Sequence, residues 1–227
     1  DCLLSRGLGD VYKRQALDAA VGQVLHALEA TGQAENTIVV FTSDNGGERF
    51  SDTWPFVGQK TELLEGGLRV PTLLRWPARL QPQVQTQVTA TMDWLPTLLA
   101  AAQAPVDGQY PSDGINLLPV LQGQQPVHPR QLFWRYKSQS QRALRDGDWK
   151  YLKINEHEFL FHVVDDPRER ANLRERQPEV FARLKAAWEL RNQDFLEITP
   201  QTFTHGLTPD IQADRYVPSR LTRHVRK

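Results

Sequence analysis

Residues 37–71 read TIVVFTSDNGGERFSDTWPFVGQKTELLEGGLRVP, and this stretch decides the fold. Ile38-Val39-Val40-Phe41 is a short, continuous, largely β-branched apolar run that stops at Thr42-Ser43-Asp44-Asn45-Gly46-Gly47. A run of this length, closed by turn residues, predicts a strand buried on both faces of a parallel sheet. Ligands of such sheets bind just beyond the carboxyl ends of the strands, and Asp44 and Asn45 fall at that point. Gly46 and Gly47 allow a sharp turn and a close approach of backbone to ligand. Asp and Asn present hard oxygen donors, the kind that calcium or magnesium takes. Taken alone, Asp-Asn-Gly-Gly also describes a plain β-turn. Further on, Lys60 adds a cation, and Glu65-Gly66-Gly67-Leu68-Arg69-Val70-Pro71 closes the segment.

Upstream, Leu17, Val21, Val24, Leu25 and Leu28 recur at helical spacing over residues 16–31, and Gly32 is a natural stop. A helix feeding a buried strand is an α/β unit. His26 on this helix reads as a packed or surface residue rather than a ligand. Downstream, residues 72–76 (TLLRW) predict a second short strand, ended by Pro77. A helix capped near Asp93 follows, through Trp94-Leu95-Pro96-Thr97-Leu98-Leu99. Asp113-Gly114 reads as a turn, and the polar residues 122–130 as a linker.

The texture changes at Gln131. Residues 132–136, 141–145, 149–153 and 159–163 are short β-type runs separated by turn residues such as Asp146-Gly147-Asp148. That spacing predicts an antiparallel sheet. Residues 178–194 carry Val180, Leu184, Ala187 and Trp188 at helical spacing, with Pro178 at the first turn. Trp134, Trp149 and Trp188 are expected in the core of this part. Arg142 and Arg145 read as alternating charge on an exposed strand.

The chain has 227 residues with 27 basic and 27 acidic side chains, so nothing in the charge balance points to nucleic acid or an anionic membrane. No apolar run is long enough for a membrane span. Cys2 is the one cysteine, which excludes an internal disulfide. Nothing in the sequence sets an oligomeric state.

Taken as a set, Ser43-Asp44-Asn45-Gly46-Gly47, Gly58-Gln59-Lys60 and Glu65-Gly66-Gly67-Leu68-Arg69-Val70-Pro71 resemble the sulfatase family of the alkaline-phosphatase-like superfamily. Further resemblances are Asp93-x-x-Pro96-Thr97-Leu98-Leu99, residues 113–121, Arg145-Asp146-Gly147-x-Trp149-Lys150 and Asp166-Pro167-x-Glu169-x-x-Asn172-Leu173. The resemblance implies an alkaline-phosphatase-like α/β parallel-sheet sandwich, truncated at its amino end, with a small carboxyl-terminal α+β antiparallel-sheet subdomain. It implies that Asp44 and Asn45 bind the active-site calcium and that Lys60 contacts the sulfate. Phosphoesterases of the superfamily usually carry Asp-His where this chain has Asp-Asn. The amide therefore argues for one oxygen-liganded ion, calcium before magnesium, over a two-zinc site.

The implied reaction is hydrolysis of a sulfate ester, of a small molecule or carbohydrate, by a formylglycine nucleophile expected upstream of Ala16. The parent is then an enzyme, periplasmic or secreted by resemblance, and this fragment alone inactive. Two alternatives stay open: a phosphodiesterase or phosphonate hydrolase of the same superfamily, and a non-catalytic calcium-dependent binding module.

Asp10-Val11-Tyr12-Lys13-Arg14-Gln15 back-translates to the mosaic end of a transposon-type sequencing adapter, and residues 5–9 continue the match. Residues 1–15 are therefore expected to be adapter-encoded and to pack against nothing specific. Cys2-Leu3-Leu4-Ser5-Arg6 then imitates the family's Cys-x-Pro-Ser-Arg nucleophile motif by chance. The expected organisation is 16–125 for the α/β part, 126–196 for the α+β part and 197–227 for a tail.

Overall fold

The computed structural model describes residues 2–48 and 51–198, with side chains from residue 11 onward. Residues 199–227 of the expected tail lie outside the described residues. In chain order the elements are α1 (Cys2–Ala30), β1 (Val39–Thr42), α2 (Glu65–Leu68), β2 (Thr72–Arg75), α3 (Trp94–Ala101), α4 (Leu118–Leu121), β3 (Gln131–Tyr136), β4 (Gln141–Asp146), β5 (Trp149–Ile154), β6 (His157–His162) and α5 (Pro178–Asn192). They form two compact units. Among the described residues, 2–48, 51 and 68–130 make the first, and 52–67 and 131–198 make the second.

In the first unit, α1 begins at Cys2 rather than Ala16. Once nucleated, a helix extends at little cost per residue, and α1 runs on through Gly7 and Gly9 with no Pro in residues 2–15 to stop it. Residues 11–15 are all exposed, whereas Val21, Leu25 and Leu28 are half-buried. Gly32 ends the helix at φ 68°, with its N–H donating to the Glu29 carbonyl at 3.0 Å.

β1 and β2 pair antiparallel, Val39 opposite Arg75 and Thr42 opposite Thr72. No parallel ladder occurs among the described residues. Phe41 and Leu73 are exposed rather than buried on both faces. An apolar run specifies that both faces favour cover, but not the direction of the neighbouring strand. Direction follows from where the connection returns, here to Pro71 and Thr72 beside Thr42. The Thr42 hydroxyl donates to the Pro71 carbonyl at 3.1 Å and lies 2.9 Å from the Thr72 hydroxyl.

Asp93 anchors the rest of this unit. It precedes α3 as expected, yet its carboxylate makes no bond to that helix's amides. It accepts instead from the Ala90 N–H (2.7 Å), the Ile115 N–H (2.9 Å) and the Arg130 guanidinium (2.5 Å). Thr97, also buried, accepts from the Leu117 N–H at 2.9 Å. The Asp93-x-x-Pro96-Thr97 motif thus pins the 113–121 segment against α3. Gly114 is required there: an added Cβ would lie 2.1 Å from the Met92 carbonyl oxygen.

The second unit contains the antiparallel sheet β3-β4-β5-β6, with strands close to the four expected runs. α5 lays Leu184 and Trp188 over Leu144, Tyr151 and Leu160, all buried. Burying each large apolar side chain contributes roughly 1.5–3 kcal/mol. The Trp188 indole also donates to the Trp134 carbonyl at 3.2 Å. Trp134 and Trp149 are half-buried, and Trp149 packs edge-on against His162 at 4.8 Å. Arg142 and Arg145 are not exposed alternation: both are half-buried, with Arg142 stacked on Trp188 at 4.9 Å. Tertiary partners, which strand periodicity does not encode, cover them.

Candidate active site

β1 delivers Ser43, Asp44 and Asn45 immediately after its last residue, Thr42. The Ser43 hydroxyl donates to the Asn45 carbonyl at 2.8 Å, closing the turn locally. Asp44 is exposed, Asn45 half-buried and Gly46 buried. Two adjacent oxygen donors suit a hard cation, but calcium takes about six to eight oxygen ligands. Among the described residues, no group of three or more His, Cys, Asp or Glu is placed to hold a metal. Asp44 and Asn45 therefore fit as part of a hard-cation site and not as a whole one.

Lys60 belongs to the second unit and is half-buried. Its loop is held to the sheet at several points. Gln141, at the start of β4, is buried and bonds the loop twice: its amide oxygen accepts from the Leu63 N–H (2.9 Å), and its amide nitrogen donates to the Thr61 carbonyl (3.0 Å). Gly66 donates its N–H to the Val57 carbonyl at 2.7 Å. Side chains have no room at the adjacent glycines. A Cβ on Gly66 would meet the Gly58 carbonyl oxygen at 2.3 Å, and one on Gly67 the Glu62 carbonyl oxygen at 2.1 Å.

Four charged residues that sequence reading did not single out as a group meet at this loop. Lys150, wholly buried on β5, places its ammonium 2.9 Å from Glu65 Oε1 and 2.9 Å from Glu169 Oε1. Glu169 Oε2 accepts the Glu65 N–H at 2.6 Å. Arg145, opposite Lys150 in the β4–β5 ladder, lies 3.8 Å from Glu65 Oε2. Burial pushes the Glu169 carboxyl above its usual range, and the adjacent Lys150 pulls against that shift. The signal was present in the sequence as three separate motifs. Glu65 opens Glu-Gly-Gly, Lys150 closes Arg-Asp-Gly-x-Trp-Lys, and Glu169 sits in Asp-Pro-x-Glu.

Residues 15–104 match the family model Sulfatase. The chain is 37% identical to mouse steryl-sulfatase over 66% of its length and 22% of that protein's. It is 31% identical to human arylsulfatase A, covering 86% of this chain and 46% of that one. This is a sulfatase-family chain. It spans less than half the length of these curated relatives.

The solved structure of Ps i-CgsB in complex with k-i-k-neocarrahexaose is 26% identical, with a TM-score of 0.72 over 93% of this chain and 48% of that one. The phosphonate monoester hydrolase from Silicibacter pomeroyi, 22% identical, shares the fold with a TM-score of 0.62 over 83% of this chain and 41% of that one. The sulfatase-family chain thus has the alkaline-phosphatase-like α/β architecture in part, together with a carboxyl-terminal antiparallel sheet. No helix among the described residues is long and apolar enough to cross a membrane.

Proposed function

We propose that the whole protein carrying this sequence is a sulfuric ester hydrolase of the arylsulfatase type, secreted or periplasmic, acting on a sulfated carbohydrate or small molecule. The observation that carries the reading is the Asp44-Asn45 pair at the end of β1, within a segment that matches the sulfatase model. Asp44 and Asn45 would hold calcium, with further oxygen donors from outside this chain's described site. The bound ion would supply Lewis-acid neutralisation of charge on the sulfate oxygens. Lys60 would bind a sulfate or leaving-group oxygen where negative charge develops. The nucleophile, a formylglycine in this reading, is assigned to no residue present here.

Relatives' names support the substrate class: the N-acetylgalactosamine-6-O-sulfatase of Bacteroides thetaiotaomicron is 26% identical over 80% of this chain. The shared fold with a phosphonate monoester hydrolase keeps phosphonate ester hydrolysis as the second reading.

The test is turnover of a chromogenic aryl sulfate and of a matched phosphonate ester by the full-length protein. Lys60→Ala should lower sulfatase turnover on the order of a hundredfold, the usual loss for one stabiliser of a developing oxyanion. Asp44→Ala should weaken calcium binding measured by calorimetry. The 227-residue chain alone should hydrolyse neither ester. Faster phosphonate than sulfate hydrolysis would replace the reading with the second, and full activity in Lys60→Ala would remove the role given to Lys60.

A further inference from the structure

The backbone beside Lys60 is held in a conformation it would not keep unaided. Thr61 sits at φ 77°, a region a β-branched residue rarely adopts. Glu169, at the far side of the cluster, sits at φ 51°. Such conformations persist where the surroundings over-determine them, and they concentrate at functional sites. Here the neighbouring groups supply that constraint. Gln141 fixes the loop at Thr61 and Leu63, two contacts that bracket the turn immediately after Lys60. Two residues later Glu65 is fixed through both its amide and its carboxylate. The fixing groups, Lys150 and Glu169, are buried, so water cannot stand in for either.

We propose that Lys150, acting through Glu65 and Glu169, is a positioning residue for Lys60: the buried ion cluster locks the 59–67 loop so that the Lys60 ammonium is presented in one place. The proposal rests on the reading of Lys60 as the sulfate-binding cation. A cluster serving stability alone could have been an apolar contact, since a buried ion pair is weak evidence for stability against a hydrophobic isostere. What an ion cluster adds is direction. The ammonium meets one oxygen of each carboxylate, and one carboxylate also takes up a backbone N–H of the loop. Sliding the loop by one residue would break all three contacts at once. Arg145 closes the fourth side, balancing two carboxylates with two cations.

The test is a double-mutant cycle in the full-length enzyme, with aryl sulfate turnover and hydrogen exchange read together. Lys150→Met removes the ammonium at similar volume; Glu65→Gln is the milder variant, keeping shape and one acceptor if Lys150→Met folds poorly. Misplacing a catalytic group by about 1 Å costs on the order of a hundredfold in rate. Either variant should therefore lower kcat roughly ten- to hundredfold in the Lys60 background. In the Lys60→Ala background the same change should cost almost nothing more, because the group it positions is gone.

Hydrogen exchange over residues 57–67 should speed up in both variants while β5 and β6 keep wild-type protection. Equal fractional losses in both backgrounds, or faster exchange spread across the whole sheet, would reduce the cluster to a general structural role and overturn the proposal. If Lys60→Ala alone retains full activity, the sulfate-binding reading fails, and this proposal with it. A cycle that is multiplicative around an impaired Lys60→Ala enzyme sinks the positioning proposal only.

Discussion

Asp93→Ala gives the sharpest test of how the first unit is held together. The carboxylate is fully buried and accepts three hydrogen bonds, from Ala90 N–H, Ile115 N–H and Arg130. The Arg130 side chain is itself only 9% exposed, so the guanidinium cannot simply turn to water. Removing one partner of a buried ion pair costs about 3–5 kcal/mol. Each buried backbone donor left unsatisfied costs roughly 1–3 kcal/mol more. These terms share one site and do not add fully, because the 113–115 loop can relax and admit water. A working figure is about 4 kcal/mol, large against a typical stability of about 5–15 kcal/mol.

Urea unfolding followed by tryptophan fluorescence measures it. With a slope near 2 kcal/mol per molar, typical of small proteins, the midpoint should fall by roughly 2 M. Asp93→Asn, which keeps one acceptor oxygen but not the charge, should fall between the two. A midpoint shift below about 0.5 M for Asp93→Ala, at unchanged slope, would refute the anchoring role.

Gly114→Ala should destabilise the first unit by more than about 1 kcal/mol, because its Cβ would overlap the Met92 carbonyl oxygen and force backbone to move; wild-type thermal stability would contradict this. Acid should weaken the second unit through Glu158. Burial alone would raise its pKa, but hydrogen bonds from Lys185 and Tyr151 outweigh that and hold it below the ordinary 4.5. Its folded pKa lies below the unfolded one, so its stabilising contribution is present above pH 4.5 and fades as pH falls through the folded value. Glu158→Gln should therefore lose most of its stability deficit relative to wild type in strong acid, as read from urea midpoints across a pH series. Glu169 runs the other way: its raised pKa means its contribution is fullest below 4.5 and fades as pH rises through the folded value.

The amino-acid sequence by itself determined the local features. The four β-runs, the helix over α5, the strand before Asp44 and the stop at Gly32 follow from periodicity and turn chemistry, which act over a few residues. The same local logic made Trp188 a core residue, since its spacing with Leu184 puts both on one helix face. Direction and partnership were decided only by the tertiary structure. An apolar run such as Ile38–Phe41 reads the same whether its neighbour is parallel or antiparallel, and β2 runs antiparallel to it.

Arg142 and Arg145 read as solvated charge until Trp188 and Glu65 are seen beside them. Lys150 sits in a β-type run with nothing local to mark it as buried. Its burial depends on Glu65 and Glu169, 85 residues before it and well after it in the chain. No window of sequence contains all three, so no periodicity could show that they meet. A buried cation is tolerable only when its partners arrive together, and that arrival is a property of the fold.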